Sequence, residues 1–395
     1  MLTVRDGCPD FSDIPWDFPL LEWQNRCAYT EELPRGASRH PVVFVNFNGK
    51  IFSFKELPPG VAEREYEVLL NIESLRLPAV VPVGYAHTSL LTGKRSILIT
   101  KYLDYSIPFR SLFMGNRFSR YQEHLLDALA GLVVQLHLAD IFWGDCSLSN
   151  TLFRRDAGAL RAYLVDAETA EIFPTGIPAY MRHQDLEILE SNINGEIADL
   201  TANFSISKDI PLTNTGAYIR MRYQNIWEEI TREIRVAPGE HFRIQERIRA
   251  LNALGFSVGN IEFFETVNGD QLRLRIVVTD RNFHHDQLYN LTGIDAEEMQ
   301  ALKMMNEVQE LKATLSQQNN RSTPLSVAAY HWQKNIYEPT IARLNIFVKS
   351  DLDAAEMYCQ VLEHKWFLSE KAQRDVGHEA ATQDYLENIS SIHPR

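Results

Sequence analysis

Trp143-Gly144-Asp145-Cys146-Ser147-Leu148-Ser149-Asn150, followed by Leu164-Val165-Asp166-Ala167-Glu168, is the stretch that decides the fold. Asp145 and Asn150 stand five apart in a loop. The loop follows the clearest helical pattern in the chain, 119–139, where Leu125, Leu129, Leu132, Val133 and Leu136 recur at three-to-four spacing. Two short strands come next, Thr151-Leu152-Phe153 and Ala162-Tyr163-Leu164-Val165, and Asp166 ends the second. An acid in a loop can accept a proton from a hydroxyl. An amide and a second acid nearby offer the hard oxygen ligands that Mg²⁺ prefers.

Working outward, Val42-Val43-Phe44-Val45-Asn46-Phe47 is β-branched and aromatic, and Asn48-Gly49 after it is a strong hairpin signal. Ile51-Phe52-Ser53-Phe54-Lys55 is the return strand, and Pro58-Pro59-Gly60 breaks it. Residues 61–75 read as a helix that carries Glu65, and Ser96-Ile97-Leu98-Ile99-Thr100 reads as a buried strand. A lysine on a rigid strand can hold a polyphosphate, and a helix glutamate can pin that lysine. Taken singly, each residue has a blander reading. Lys55 can be a solvated strand end, Glu65 a surface helix residue with Glu63 or Glu67 in its role, Asp145 a turn residue, Asn150 a loop cap and Asp166 a turn cap. Together, in this order and on these elements, they meet the separate needs of phosphoryl transfer from a nucleotide.

This order of strand lysine, helix glutamate, Asp-x-x-x-x-Asn and strand aspartate resembles the protein-kinase-like superfamily over about residues 30–250. In style it is similar to bacterial lipopolysaccharide core (Kdo-type) kinases, RIO kinases and aminoglycoside phosphotransferases. The resemblance implies an α+β, two-lobed protein-kinase-like fold. It implies ATP and Mg²⁺ as cofactors and a hydroxyl-bearing acceptor. Lys55 would hold the phosphates, Glu65 would orient Lys55, and Asp145 would act on the hydroxyl. Asn150 and Asp166 would bind the metal, and Tyr102 and Leu103 would meet adenine through their main chain. Departures from the pattern are plain. Asp166-Ala167-Glu168 replaces Asp-Phe-Gly, Trp143-Gly144 replaces His-Arg, and no Ala-Pro-Glu follows. The phosphate loop, Arg35-Gly36-Ala37-Ser38-Arg39-His40, holds one glycine, so Gly36 and Ser38, or Arg39, are its candidate contacts. Two other readings share the fold: a pseudokinase that serves as a nucleotide-binding or interaction scaffold, and a nucleotidyl transferase that moves AMP.

Residues 1–30, rich in Pro, Trp and acids, read as an N-terminal extension wrapped over the domain that follows. The kinase-like domain is expected over 31–254, with an N-lobe at about 31–103 and a C-lobe at about 104–254. Helices are expected at 183–203 and 215–254, with Pro211 and Pro238 as interruptions. The character changes near Gly255. A hairpin at 261–278 and helices at 295–317, 324–348, 352–365 and 367–389 suggest a smaller, mostly helical α+β domain over 255–395. That part resembles the C-terminal region of uncharacterised bacterial proteins with a lipopolysaccharide-kinase-like domain, and the likeness carries no mechanism. His284-His285 is expected to be a solvated loop pair rather than a metal site.

The length of 395 residues suggests two domains or three. The 39 Lys+Arg against 52 Asp+Glu give a net charge of −13, which argues against nucleic acid as the main partner. The four cysteines form no C-x-x-C pair, no apolar run is long enough for a transmembrane helix, and the N-terminus lacks a signal pattern. A cytoplasmic location is therefore expected. Subunit number and acceptor are not legible.

Overall fold

The structure is a computed structural model that describes residues 2–33, 39–90, 93–113, 124–203, 215–236, 241–265, 272–347 and 353–392. Gly36 and Ser38 lie outside the described residues. The chain forms two compact units. The first is Met1–Arg154 with Ala162–Trp227, and the second is Arg155–Arg161 with Glu228–Arg395.

The first unit opens with a small lobe: β1 (Leu2–Val4), β2 (Thr30–Glu31), β3 (Val42–Phe47), β4 (Lys50–Leu57), helix α1 (Val61–Ser74), β5 (Pro82–Leu90) and β6 (Gly93–Lys101). The strands make one sheet in the order β1-β5-β6-β4-β3-β2. The Asn48-Gly49 turn has positive φ at both residues, as a tight hairpin of this twist requires, and sets the register Val42↔Lys55. The first thirty residues pack against the sheet of this lobe. Phe11, Leu20 and Trp23 are fully buried and share a cluster with Val45, Phe52 and Phe54. They were unreadable as core because they follow no helix or strand period. β1 pairs with β5 over Gly84, where any Cβ would lie 2.2 Å from the Thr3 carbonyl oxygen, so only glycine admits the strand.

The large lobe follows: β7 (Ile107–Pro108), α2 (Leu125–Leu138), β8 (Ile141–Phe142), β9 (Thr151–Asp156), β10 (Ala159–Leu164), β11 (Glu171–Ile172), α3 (Ala179–Asn203) and α4 (Thr215–Thr231). α2 buries Leu125, Leu129, Leu132, Val133, Val134 and Leu136, so it is a central core helix, apolar on most sides. Hydrogen bonds from Val80 N–H to Leu164 O (2.9 Å) and from Leu164 N–H to Pro78 O (3.0 Å) stitch β10 to the small lobe.

The second unit contains β12 (Ile234–Val236), α5 (His241–Ala253), β13 (Val258–Glu265), β14 (Leu272–Val278), α6 (Phe283–Thr292), α7 (Glu298–Gln318), α8 (Leu325–Trp332), α9 (Glu338–Phe347), α10 (Ala354–Ala372) and α11 (His378–Ile392). The expected helical run over 215–254 is interrupted by β12, which pairs with β14. Ile234 and Val236 alternate around Arg235, a strand period too short to outweigh its helical flanks. The last two helices part at 373–377, where Gln373 and Gly377 have positive φ, rather than at 366. His284 and His285 are on α6, not in a solvated loop. His284 is buried, and its Nδ1 lies 2.6 Å from the Glu298 carboxylate. Among the described residues, no helix is long and apolar enough to cross a membrane.

The chain is thus α+β. A two-lobed kinase-like unit is joined to a smaller, mostly helical α+β unit.

Candidate active site

α1 places Ala62, Glu65, Tyr66, Leu69 and Ile72 on its buried face, so Glu65 is a carboxylate amid apolar side chains with no exposure at all. A charge buried this way needs a partner. Lys55 supplies it from β4: its Nζ lies 3.1 and 3.2 Å from the two Glu65 oxygens. The same ammonium lies 2.7 Å from Asp166 Oδ2. The Ala167 N–H also donates to Glu65 at 3.1 Å. Burial draws the Lys55 ammonium down, but the Glu65 and Asp166 carboxylates beside it outweigh that and raise its pKa. Burial pushes Glu65 up to about 7, against the pull of Lys55. The alternatives to Glu65 are used elsewhere or exposed: Glu63 accepts from the Tyr85 hydroxyl, and Glu67 faces solvent.

Asp145 and Asn150 meet in the loop after β8. The Asn150 amide donates to the Asp145 carbonyl and to Asp145 Oδ2, both at 3.0 Å. Asn150 O accepts from Val165 N–H at 3.1 Å, which ties this loop to the residue before Asp166. Trp143 Nε1 donates to the Asp166 carbonyl at 2.9 Å. Glu65, Asp166 and Glu168 bring carboxylate oxygens within 4.8 Å of one another. Three hard oxygen donors at that spacing, with the Asn150 amide near, suit Mg²⁺. Cys146 is buried, and burial pushes its thiol well up, so it serves packing and not nucleophilic attack.

An apolar cleft includes some of these charged groups in its lining. Val42, Phe44, Val80, Leu98, Leu152 and Val165 line it, together with Tyr102, Leu103, Lys55, Asn150 and Asp166. The Tyr102 N–H donates to Ile51 O at 2.9 Å. Among the described residues, the Leu103 N–H has no partner.

Sequence reasoning missed three side chains on α3. Asp185 accepts from Trp143 N–H (2.7 Å) and Gly144 N–H (2.8 Å), and its Oδ2 lies 3.1 Å from His137 Nε2. Burial lowers the His137 pKa, and its Nδ1 lies 2.7 Å from the Tyr223 hydroxyl. Glu196 accepts from Leu148 and Ser149 N–H, both at 2.8 Å, and burial raises its pKa. Asn192 donates to Cys146 O at 3.0 Å and lies 3.4 Å from Asp145 Oδ1. Steps of seven and four residues put all three on one helix face. Gly144 has φ +80°, and a Cβ there would stand 3.0 Å from the Thr169 carbonyl oxygen, which gives a reason for glycine before Asp145.

Residues 46–214 match the lipopolysaccharide kinase (Kdo/WaaP) family. Residues 225–390 match a domain of unknown function, DUF4032. No curated protein matches the chain in sequence. Among solved structures, WaaP in complex with acyl carrier protein is similar at 16% identity and a TM-score of 0.37, over 64% of this chain and 94% of that one.

Proposed function

We propose that this chain, whose residues 46–214 match the lipopolysaccharide kinase (Kdo/WaaP) family, is an ATP- and Mg²⁺-dependent phosphotransferase acting on a hydroxyl acceptor. One observation carries the reading. Lys55 makes ion pairs with both Glu65 and Asp166 and lines an apolar cleft together with Asp166 and Asn150, which is joined to Asp145.

The apolar cleft walls suit a flat purine, and the Leu103 N–H would donate to a ring nitrogen. Lys55 holds the phosphates, and Glu65 fixes the direction of its ammonium. Asp145 orients the acceptor hydroxyl and takes its proton. The hydroxyl oxygen bonds to the terminal phosphorus as the bond from that phosphorus to the bridging oxygen breaks, and ADP leaves. Asn150 and Asp166, with Glu168, would hold Mg²⁺, which when bound neutralises charge on the transferring group. Most of the rate comes from positioning and electrostatics, since little covalent work falls to the protein. The family description points to a lipopolysaccharide sugar hydroxyl as acceptor. The free thiols of Cys8, Cys27, Cys146 and Cys359 fit a reducing, cytoplasmic compartment.

The test is ATP turnover by purified protein with Asp145→Ala and Asp166→Ala. Both variants are expected to stay folded and to lose at least about a hundredfold in rate. Unchanged turnover in Asp166→Ala ends the assignment. Mass analysis of the product separates phosphate from an AMP adduct.

A further inference from the structure

Arg39 lies ahead of the matched stretch, in the segment before β3, and its guanidinium reaches two carboxylates of the site. Its Nη2 is 3.1 Å from Asp145 Oδ2 and 3.4 Å from Glu168 Oε1. His40 Nε2 lies 3.4 Å from the other Glu168 oxygen. The Arg39 side chain is 73% exposed, so charge holds it there and packing does not. Asp145 is contacted by three side chains as a result. Its Oδ2 takes Arg39 and Asn150, and its Oδ1 faces Asn192. Arg39 therefore offsets the charge of Asp145 and crowds Oδ2, the oxygen it shares with Asn150.

Four carboxylates, Asp145, Asp166, Glu168 and Glu65, gather about Lys55 and Arg39. A divalent cation on Asp166 and Glu168 would stand beside the guanidinium and repel it. A terminal phosphate would attract it and offers the two-pronged geometry that guanidinium prefers to single carboxylate contacts. The bond it leaves is solvent-exposed and therefore weak.

We propose that Arg39 is a transferable cation: it covers Asp145 and Glu168 in the nucleotide-free protein and moves onto the terminal phosphate of a metal–nucleoside triphosphate, uncovering Asp145 for the acceptor hydroxyl. This rests on the phosphotransferase reading. It makes Arg39 a positioning residue with opposite effects on two ligands. Binding of Mn²⁺ alone, followed by electron paramagnetic resonance, is expected to tighten severalfold in Arg39→Ala, because a competing cation is gone. Binding of the Mg²⁺ complex of a nonhydrolysable ATP analogue, followed by calorimetry, is expected to weaken about tenfold. Arg39→Lys keeps the charge without the fork and is expected to hold Mn²⁺ affinity near the wild-type value while losing part of the nucleotide affinity. A merely structural role would move both affinities in one direction, and that result overturns the proposal. So does an Arg39→Ala protein with either affinity unchanged while the wild type binds nucleotide. A wild type that fails to bind the nucleotide complex overturns the phosphotransferase reading as well.

Discussion

Glu65 carries a consequence for pH. Burial raises its carboxyl to about 7 in the fold, against an ordinary value of 4.5. Below pH 4.5 both folded and unfolded chains hold the proton. Between 4.5 and about 7 the unfolded chain ionises first, so stability contributed by the protonated group is lost as pH rises through that window. The loss is at most roughly 3 kcal/mol, from about 1.4 kcal/mol per pKa unit. Glu65→Gln is expected to flatten this slope in urea unfolding measured from pH 4.5 to 7.5, and a variant profile parallel to the wild type would show that Glu65 does not carry the proton. The same variant is expected to cut ATP turnover at least about tenfold, because a neutral amide pins Lys55 less firmly. Of the residues around it, Lys55, Asp145, Asn150 and Asp166 were legible because their order along the chain is itself the signal. Arg39 and Glu168 were named without a partner, since their meeting across 129 residues leaves no local mark.

At the scale of elements, α3 is the part that holds the loop of Asp145. Asp185, Asn192 and Glu196 reach across 41 to 48 residues to backbone groups of that loop. In sequence they look like the polar positions of an amphipathic helix, so nothing local distinguishes them from a solvated face. Asp185→Ala leaves the buried Trp143 N–H, the part-buried Gly144 N–H and the His137 ring without this acceptor, and is expected to cost roughly 3–5 kcal/mol in thermal or chemical unfolding. A loss below about 1 kcal/mol would mean that water or another group replaces the carboxylate. Glu196→Gln keeps the shape but weakens two charge-assisted bonds. It is expected to lower turnover severalfold with the midpoint of unfolding nearly unchanged, a split that calorimetry and rate assays on one preparation can read. The hairpin of β3 and β4, the helix α1 and the strand β6 were legible because their periods are clean and their turns carry Asn-Gly or Pro-Gly. β12 was hidden by its length of three residues, and the break after α10 was hidden because Gln373 takes a left-handed conformation that its residue type does not announce.

The whole molecule divides where the sequence pattern does not. The helical reading of 215–254 runs across the contact boundary at Trp227 and Glu228, and the tip of the β9–β10 hairpin, Arg155–Arg161, counts with the second unit. There Asp156 is buried and accepts from Gln300 N–H at 2.9 Å, while Ala157 N–H donates to Glu356 at 2.9 Å. A chain cut after Trp227 strips those partners from the tip. It is expected to give less soluble protein and a lower unfolding midpoint than the full chain, and a truncated protein of equal stability would show that the tip tolerates water. The separation also sets a clock for synthesis. Ala157 waits 199 residues for Glu356. At roughly 5–20 residues per second, the ribosome needs on the order of 10–40 s to deliver it. During that interval the hairpin tip is a nascent-chain surface with unmet polar groups, open to any holding chaperone stationed at the tunnel exit.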